Sequence, residues 1–280
     1  MVLPIIEVKG LTYTYPESES PSLKDVNFKA EAGEFVLVTG PSGCGKTTFC
    51  RALNGLIPNS YGGEFRGSVV VDGLSTTSTP VYELAQRVGL VFQNPENELF
   101  CTTVEREVAF GPENLALSRE EIAMRVEEAL STVGILHLKE KSPEELSGGE
   151  QQKVAIAALL AMKPKILVLD EPTANLDPLS AKSILELMSR LNESGVTVVL
   201  VEHRLEMVSH MADRCIVFDG GRIVMDGSPE DVLYSDSVAD LGIGIPKVVL
   251  VSKHLNRSRN GSLRCLTPDG LASYVRGFPV

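Results

Sequence analysis

The segment Gly40-Pro41-Ser42-Gly43-Cys44-Gly45-Lys46-Thr47 constrains this chain more than any other, because it matches G-x-x-x-x-G-K-[ST] at every fixed position. Its flanks have the required character. Phe35-Val36-Leu37-Val38 reads as a buried strand leading in, and Thr48-Phe49-Cys50-Arg51-Ala52-Leu53 as the start of a helix leading out. Glycines let the backbone bend so that successive N–H groups point at phosphate oxygens, and the new helix N-terminus adds partial positive charge. Lys46 then neutralises the outer phosphates, and the Thr47 hydroxyl can ligate Mg²⁺. The segment predicts a nucleoside-triphosphate site on an α/β sheet.

Composition narrows the class. A chain of 280 residues with 43% apolar residues and a mixed charged surface is globular, with one large or two small domains. A net charge of −11 argues against a non-specific nucleic-acid binder, which needs a basic face. No apolar run approaches the roughly 18–20 residues of a spanning helix, and Met1-Val2-Leu3-Pro4 does not open a signal segment, so folding in the cytoplasm is expected. Cys44, Cys50, Cys101, Cys215 and Cys265 are scattered without metal spacing, as reduced thiols are. Cys44, beside the phosphate site, is a candidate for modification that blocks nucleotide access.

In chain order, Ile5–Val8, Thr12–Tyr15 and Val26–Ala30 read as short strands, the last two parted by the Pro/Ser/Glu-rich stretch 16–21. Tyr15 has two readings, a base-stacking aromatic or an ordinary strand tyrosine. Val88–Phe92 is a further strand, stopped by Pro95, and it leaves Gln93 at a strand end. That amide is either a metal or water contact or a solvated loop group. Ser118–Glu121 forms a capping box ahead of an amphipathic helix carrying Ile122, Val126, Ala129, Leu130 and Val133, ended by Gly134. Ser147-Gly148-Gly149-Glu150 opens an Ala-rich helix and is either a second anion-binding helix end or a common turn.

The run Ile166–Leu169 delivers Asp170 and Glu171 at the end of a buried strand. Asp170 is placed to hold Mg²⁺ through its water shell, which leaves Glu171 free to act as a general base on water. Asp177 suits an N-cap and Pro178 the first turn of a helix ending at Gly195. The strand Val196–Val201 then delivers Glu202 and His203. The histidine either senses a γ-phosphate or forms a structural hydrogen bond.

Taken together, the phosphate loop, Gln93, Leu146-Ser147-Gly148-Gly149-Glu150, Val168-Leu169-Asp170-Glu171, Asp177 and His203 resemble, in order and spacing, the ATP-binding-cassette (ABC) ATPases over about residues 3–230. The resemblance implies an α/β phosphate-loop NTPase fold with a RecA-like core sheet, an N-terminal antiparallel β-subdomain and a helical signature subdomain at about 94–160. It implies ATP held by Gly40–Thr48 and stacked on Tyr15, Mg²⁺ contacted by Thr47, Gln93 and Asp170, and catalysis by Lys46, Glu171 as base and His203 as switch. It also implies a head-to-tail dimer in which Ser147, Gly148, Gly149, Glu150 and Asp177 of one subunit approach the nucleotide of the other. Glu150 departs from the more frequent glutamine, following the Ser-Gly-Gly donors without replacing them.

Val91–Phe100, followed by Thr103–Gly111, is similar to the ATPases of energy-coupling-factor (ECF) importers of vitamins or of cobalt and nickel. Residues 231–280 resemble their short C-terminal extension, a contact for the partner ATPase; on sequence alone the tail can equally be an edge decoration. Ile245-Pro246 and Thr267-Pro268 open helix-like runs within it, and Arg257, Arg259 and Arg264 read as a solvated loop. The resemblance implies a peripheral subunit at the cytoplasmic face of the membrane, docked on a transmembrane T component that serves a substrate-binding S component. Another ABC importer, or a soluble ABC ATPase such as an iron–sulfur assembly factor, is the alternative.

Overall fold

The computed structural model describes residues 3–94, 98–259 and 262–276. Its strands are β1 (Ile6–Thr14), β2 (Leu23–Ala30), β3 (Phe35–Thr39), β4 (Glu64–Val71), β5 (Leu74–Ser75), β6 (Val88–Val91), β7 (Ile166–Asp170), β8 (Thr197–Val201), β9 (Arg214–Asp219) and β10 (Arg222–Gly227). The helices of the first half are α1 (Lys46–Leu53), α2 (Leu56–Asn59), α3 (Val81–Leu84), α4 (Val104–Asn114) and α5 (Arg119–Thr132). Those of the second half are α6 (Gly148–Leu160), α7 (Pro178–Glu193), α8 (Leu205–Val208), α9 (Pro229–Tyr234), α10 (Ser237–Asp240), α11 (Lys247–Arg259) and α12 (Pro268–Arg276).

Strands β3, β7 and β8 are wholly buried, and their alternate side chains enter two different cores. Phe35, Leu37, Leu167, Leu169, Val198 and Leu200 face one core, shared with α4–α7. Val36, Val38, Ile166, Val168, Val199 and Val201 face the other, shared with α1 and β1, β2 and β4. A strand covered on both sides reads as an unbroken apolar run, which is why these three were legible. The sheet order is β10-β9-β3-β8-β7-β6, parallel except for the antiparallel β10 edge. A separate antiparallel sheet, β2-β1-β4-β5, covers one core.

Two local expectations change. The separate strands at Ile5–Val8 and Thr12–Tyr15 are one strand, β1, carried across Gly10 (φ 58°) by register shifts in its pairing. Ser118 caps α5 by accepting from the Glu121 N–H, while the Glu121 carboxylate is taken by Arg125 at 2.7 Å, one turn on. Pro95, expected to stop β6, lies outside the described residues.

The tail is pinned to the rest of the chain. Val249 and Leu266 are buried in the core that contains α4–α7, and the Lys247 N–H donates to Glu206 at 2.9 Å. Arg264 is an exposed loop residue, as expected, and it also pairs with the exposed Asp231 and lies 5.7 Å over the Tyr234 ring. Tyr234 Oη in turn accepts from the Cys265 N–H at 2.7 Å. Arg257 is exposed. On α12, by contrast, no side chain is buried, and Val275 is exposed.

Candidate functional site

The neighbouring strands β6, β7, β8 and β3 end nearly level: Val91 pairs Leu169, Asp170 pairs Val201, and Val201 pairs Val38. Their carboxyl ends therefore bring Gln93, Asp170 and Glu171, Glu202 and His203, and the Gly40–Thr47 loop to one edge of the sheet. A cavity of about 310 Å³ opens there, lined by Ser22, Ser42, Gly43, Gly45–Thr48, Gln93 and Glu171. A larger cleft of about 430 Å³ between α5 and α7 holds none of these groups.

Two glycines of the loop are fixed by contact. A Cβ on Gly40 (φ 145°) would stand 2.2 Å from the Phe218 carbonyl, and one on Gly45 (φ 108°) 2.7 Å from that of Ser22. Gly43 (φ 75°) instead faces open space, with nothing within 4 Å of a Cβ. Lys46 is 4% exposed, and its ammonium donates to the Gly40 and Pro41 carbonyls at 2.9 and 2.8 Å. It forms no ion pair among the described residues. A buried, unneutralised ammonium beside an open glycine turn at a helix start fits an anion.

Asp170 is buried, and its Oδ1 has no hydrogen-bond partner. Burial pushes its pKa up, opposed by a hydrogen bond with the Thr47 side chain. An orphaned carboxylate oxygen beside a hydroxyl is a hard, sparse donor set. It fits a Mg²⁺ ion that keeps water and phosphate oxygens as its other ligands. Among the described residues no cluster of three or more His, Cys, Asp or Glu side chains exists to cage a metal.

Glu171 has a left-handed backbone (φ 52°), held by its N–H donating to the Val201 carbonyl at 3.0 Å. Its Oε1 lies 3.0 Å from His203 Nε2, and its Oε2 accepts from Gln93 Nε2 at 3.1 Å. The loop behind it is fixed by Glu202, which is 2% exposed. Glu202 Oε1 accepts from the N–H groups of His203 and Arg204 at 2.8 and 3.0 Å, and its Oε2 from the Thr173 hydroxyl. Arg204 donates to the Leu176 carbonyl at 3.0 Å, and Asn175 to Asn94 Oδ1 at 2.9 Å. Three strand-end loops are thus cross-braced.

Ser147 caps α6, with Glu150 Oε2 accepting from its N–H (2.9 Å) and Oγ (2.7 Å), contacts that hold the Glu150 carboxyl below its usual range. Gly149 is needed because a Cβ would meet Ser180 Oγ of α7 at 2.8 Å. Asp177 caps α7, accepting from the Leu179 and Ser180 N–H groups, and its carboxyl is held low through Ser180. None of Ser147, Gly148, Gly149, Glu150 or Asp177 lines the cavity. Tyr15 is half-buried beside it, its hydroxyl 3.3 Å from Thr48 Oγ1 and accepting from Arg51 at 2.9 Å. Cys44 departs from expectation: it is 5% exposed and burial raises its pKa, so it is a shielded and poorly reactive thiol. All five cysteines are free.

Sequence reading missed Ser22, Arg51, Thr173 and the role of Glu202. Glu202 alone carried a signal, an acid at the end of an unbroken apolar strand.

Residues 23–174 match the family model described as ABC transporter. The chain belongs to the ABC transporter family, as an ATP-binding subunit. This ABC ATPase is 50% identical over 255 residues to a protein of Pyrococcus abyssi, across 90% of this chain and 91% of the other, whose name records an inferred role as an ABC transporter ATP-binding protein. Several other curated relatives are longer, and it spans less than half of them. Among solved structures it is similar to CbiO1 from Clostridium perfringens, described as part of the ABC transporter complex cbiONQ. The TM-score is 0.75 and the identity 32%, over 89% of this chain and 99% of that one. It is also similar to a dimer of the ATP-binding cassette MJ0796 in a post-hydrolysis state bound to ADP and Pi. There the TM-score is 0.70 and the identity 32%, over 80% and 98% of the two chains. The chain is thus an ATPase that energises a transporter, and among its described residues no helix is long and apolar enough to cross a membrane.

Proposed function

We propose that this ABC ATPase drives an ECF-type importer. In this reading it sits at the cytoplasmic face, bound to a T component, and its ATP cycle reorients a substrate-capturing S component. The likeness to CbiO1 supports the reading, as does the resemblance carried by Val91–Phe100 and Thr103–Gly111. Residues 231–280 serve as the partner-facing segment, with the unburied α12 available for that contact.

The observation that carries the catalytic reading is Glu171, held between Gln93 and His203 at the edge of the phosphate cavity. Each of its oxygens has one of these contacts and keeps a second acceptor site, so it can take a proton from an attacking water. His203 orients that carboxylate and senses the outer phosphate. Lys46, with the loop amides, binds the triphosphate, and Tyr15 stacks on adenine. Thr47 and Asp170, with Gln93, would hold Mg²⁺, which supplies neutralisation of the phosphate oxygens. Ser147, Gly148, Gly149, Glu150 and Asp177 act on the nucleotide of a second subunit, identical or paralogous. The MJ0796 dimer supports such pairing.

Glu171→Gln is expected to retain ATP binding and to lose hydrolysis by about 10²-fold or more, the usual contribution of a general base. Normal turnover by that variant would remove Glu171 from the role. The transport reading is tested by purifying the tagged chain from its native membranes in mild detergent. Co-purification of a multi-spanning T subunit with a small membrane S protein supports it. Two conventional permeases, or only soluble partners, would replace it.

A further inference from the structure

Helix α1 carries two side chains that meet Tyr15. Thr48 and Arg51 are three residues apart on one face of the helix. Thr48 lines the phosphate cavity, and its Oγ1 lies 3.3 Å from the Tyr15 hydroxyl. Arg51 Nη1 donates to the same hydroxyl at 2.9 Å, while its guanidinium lies 4.7 Å over the ring of Tyr61. The Tyr15 ring stands edge-on to Tyr13 (centroids 4.8 Å, planes at 82°) and to Tyr61 (6.0 Å, 81°). Tyr13 is fully buried and anchored by its hydroxyl donating to the Gly62 carbonyl at 2.7 Å. Arg51 is therefore the cation that joins the end of β1, the turn bearing Tyr61 and the helix that begins at the phosphate loop. Its Nε is buried without a partner, and among the described residues the guanidinium meets these aromatic groups while the Asp170 carboxylate acts on it as a nearby charge.

We propose that Arg51 is a positioning residue for the nucleobase: by holding the Tyr15 hydroxyl it sets the plane of the stacking ring and ties base binding to helix α1. This rests on the reading of Tyr15 as the base-stacking residue. A tyrosine pinned at its hydroxyl has lost its side-chain freedom before the nucleotide arrives. Releasing it adds an ordering cost to base binding alone. The triphosphate contacts come from the loop amides and Lys46 and do not pass through Arg51.

The test is calorimetric binding of Mg-ATP and of inorganic tripolyphosphate to the full chain, with KM and kcat for ATP. Arg51→Met keeps the apolar stem and removes the donor. It is expected to weaken ATP binding about three- to tenfold, the scale of one charged hydrogen bond, and to raise KM with kcat held. Tripolyphosphate affinity should not move. Tyr15→Phe removes the acceptor, is the milder change for folding, and should produce the same selective loss. The double variant should lose no more than either single one. Arg51→Lys should restore part of the loss. Equal effects on both ligands, no effect on either, or additive losses would overturn the proposal. Tyr15→Ala separates it from the reading beneath. If Tyr15→Ala weakens ATP selectively and Arg51→Met does not, the positioning role alone fails. If Tyr15→Ala leaves ATP binding intact, the stacking reading fails as well.

Discussion

Glu98 follows Gln93 closely in sequence, and its Oε1 accepts from the Phe92 N–H at 3.0 Å. No cation pairs with it among the described residues, and burial pushes its pKa from 4.5 up to about 7. The unfolded chain therefore ionises first as pH rises, so stability falls between about pH 4.5 and 7 and is level above that. The full shift corresponds to about 3 kcal/mol, and partial exposure reduces this to about 1–2. Glu98→Gln keeps an acceptor for Phe92 without the charge. Melting temperatures measured from about pH 5 to 8 should converge at the acid end and favour the variant at the basic end. Parallel curves would dismiss the idea. A second pair of residues separates folding from binding. Gly40→Ala forces a Cβ against a backbone carbonyl at 2.2 Å, so it should destabilise the chain by about 2–4 kcal/mol. Gly43→Ala meets no atom, so it should fold with about 1–2 kcal/mol of backbone strain and lose ATP affinity instead. Melting and ATP titration of the two variants decide it. The loop residues were legible because a phosphate cradle needs them at fixed spacing. Glu98 and Arg51 were not, since their roles depend on neighbours fixed only by tertiary contact.

At the level of elements, the strands β7 and β8 deliver acids whose tasks differ only through what they touch. Asp170 keeps an orphaned oxygen beside Thr47, whereas Glu202 is satisfied by two backbone N–H groups and the Thr173 hydroxyl. Glu202 therefore braces the loops that carry His203 and Thr173 and does not itself line the cavity. Glu202→Ala is expected to lower kcat about tenfold or more while leaving ATP affinity within about twofold, because it loosens a positioning contact and no nucleotide contact. Stopped turnover with intact nucleotide titration would bear this out; a matching loss of affinity would argue for general unfolding. Strands buried on both faces were readable from apolar runs, and α6 and α7 from their caps at Ser147 and Asp177. The continuity of β1 was hidden because Gly10 looks like a break when it is the site of a register shift. The pairing of Arg264 with Asp231 was hidden because an ion pair across 33 positions leaves no local pattern.

For the molecule as a whole, the decisive geometry is a separation. The phosphate loop, Gln93 and Glu171 line one cavity, while Gly148 packs against Leu176, just ahead of α7, and Gly149 against Ser180 within it. Neither these glycines nor Ser147 line any part of the cavity. A chain working alone would leave an anion-binding helix end unused at Ser147. A head-to-tail pair would place that end over its partner's triphosphate, and each site would then need one loop and one signature from different chains. This predicts complementation between two inactive variants. Lys46→Ala removes the loop cation, and Ser147→Arg fills the signature end with a bulky side chain, so either alone should hydrolyse ATP at background rate. A mixed pair holds one site with both halves intact, formed by the loop of the Ser147→Arg chain and the signature of the Lys46→Ala chain. Mixing the two preparations should restore hydrolysis, with a dependence on total protein concentration that follows dimer formation. If each site is complete within one chain, mixing two dead variants yields only their summed background, and Ser147 would revert to being a helix cap.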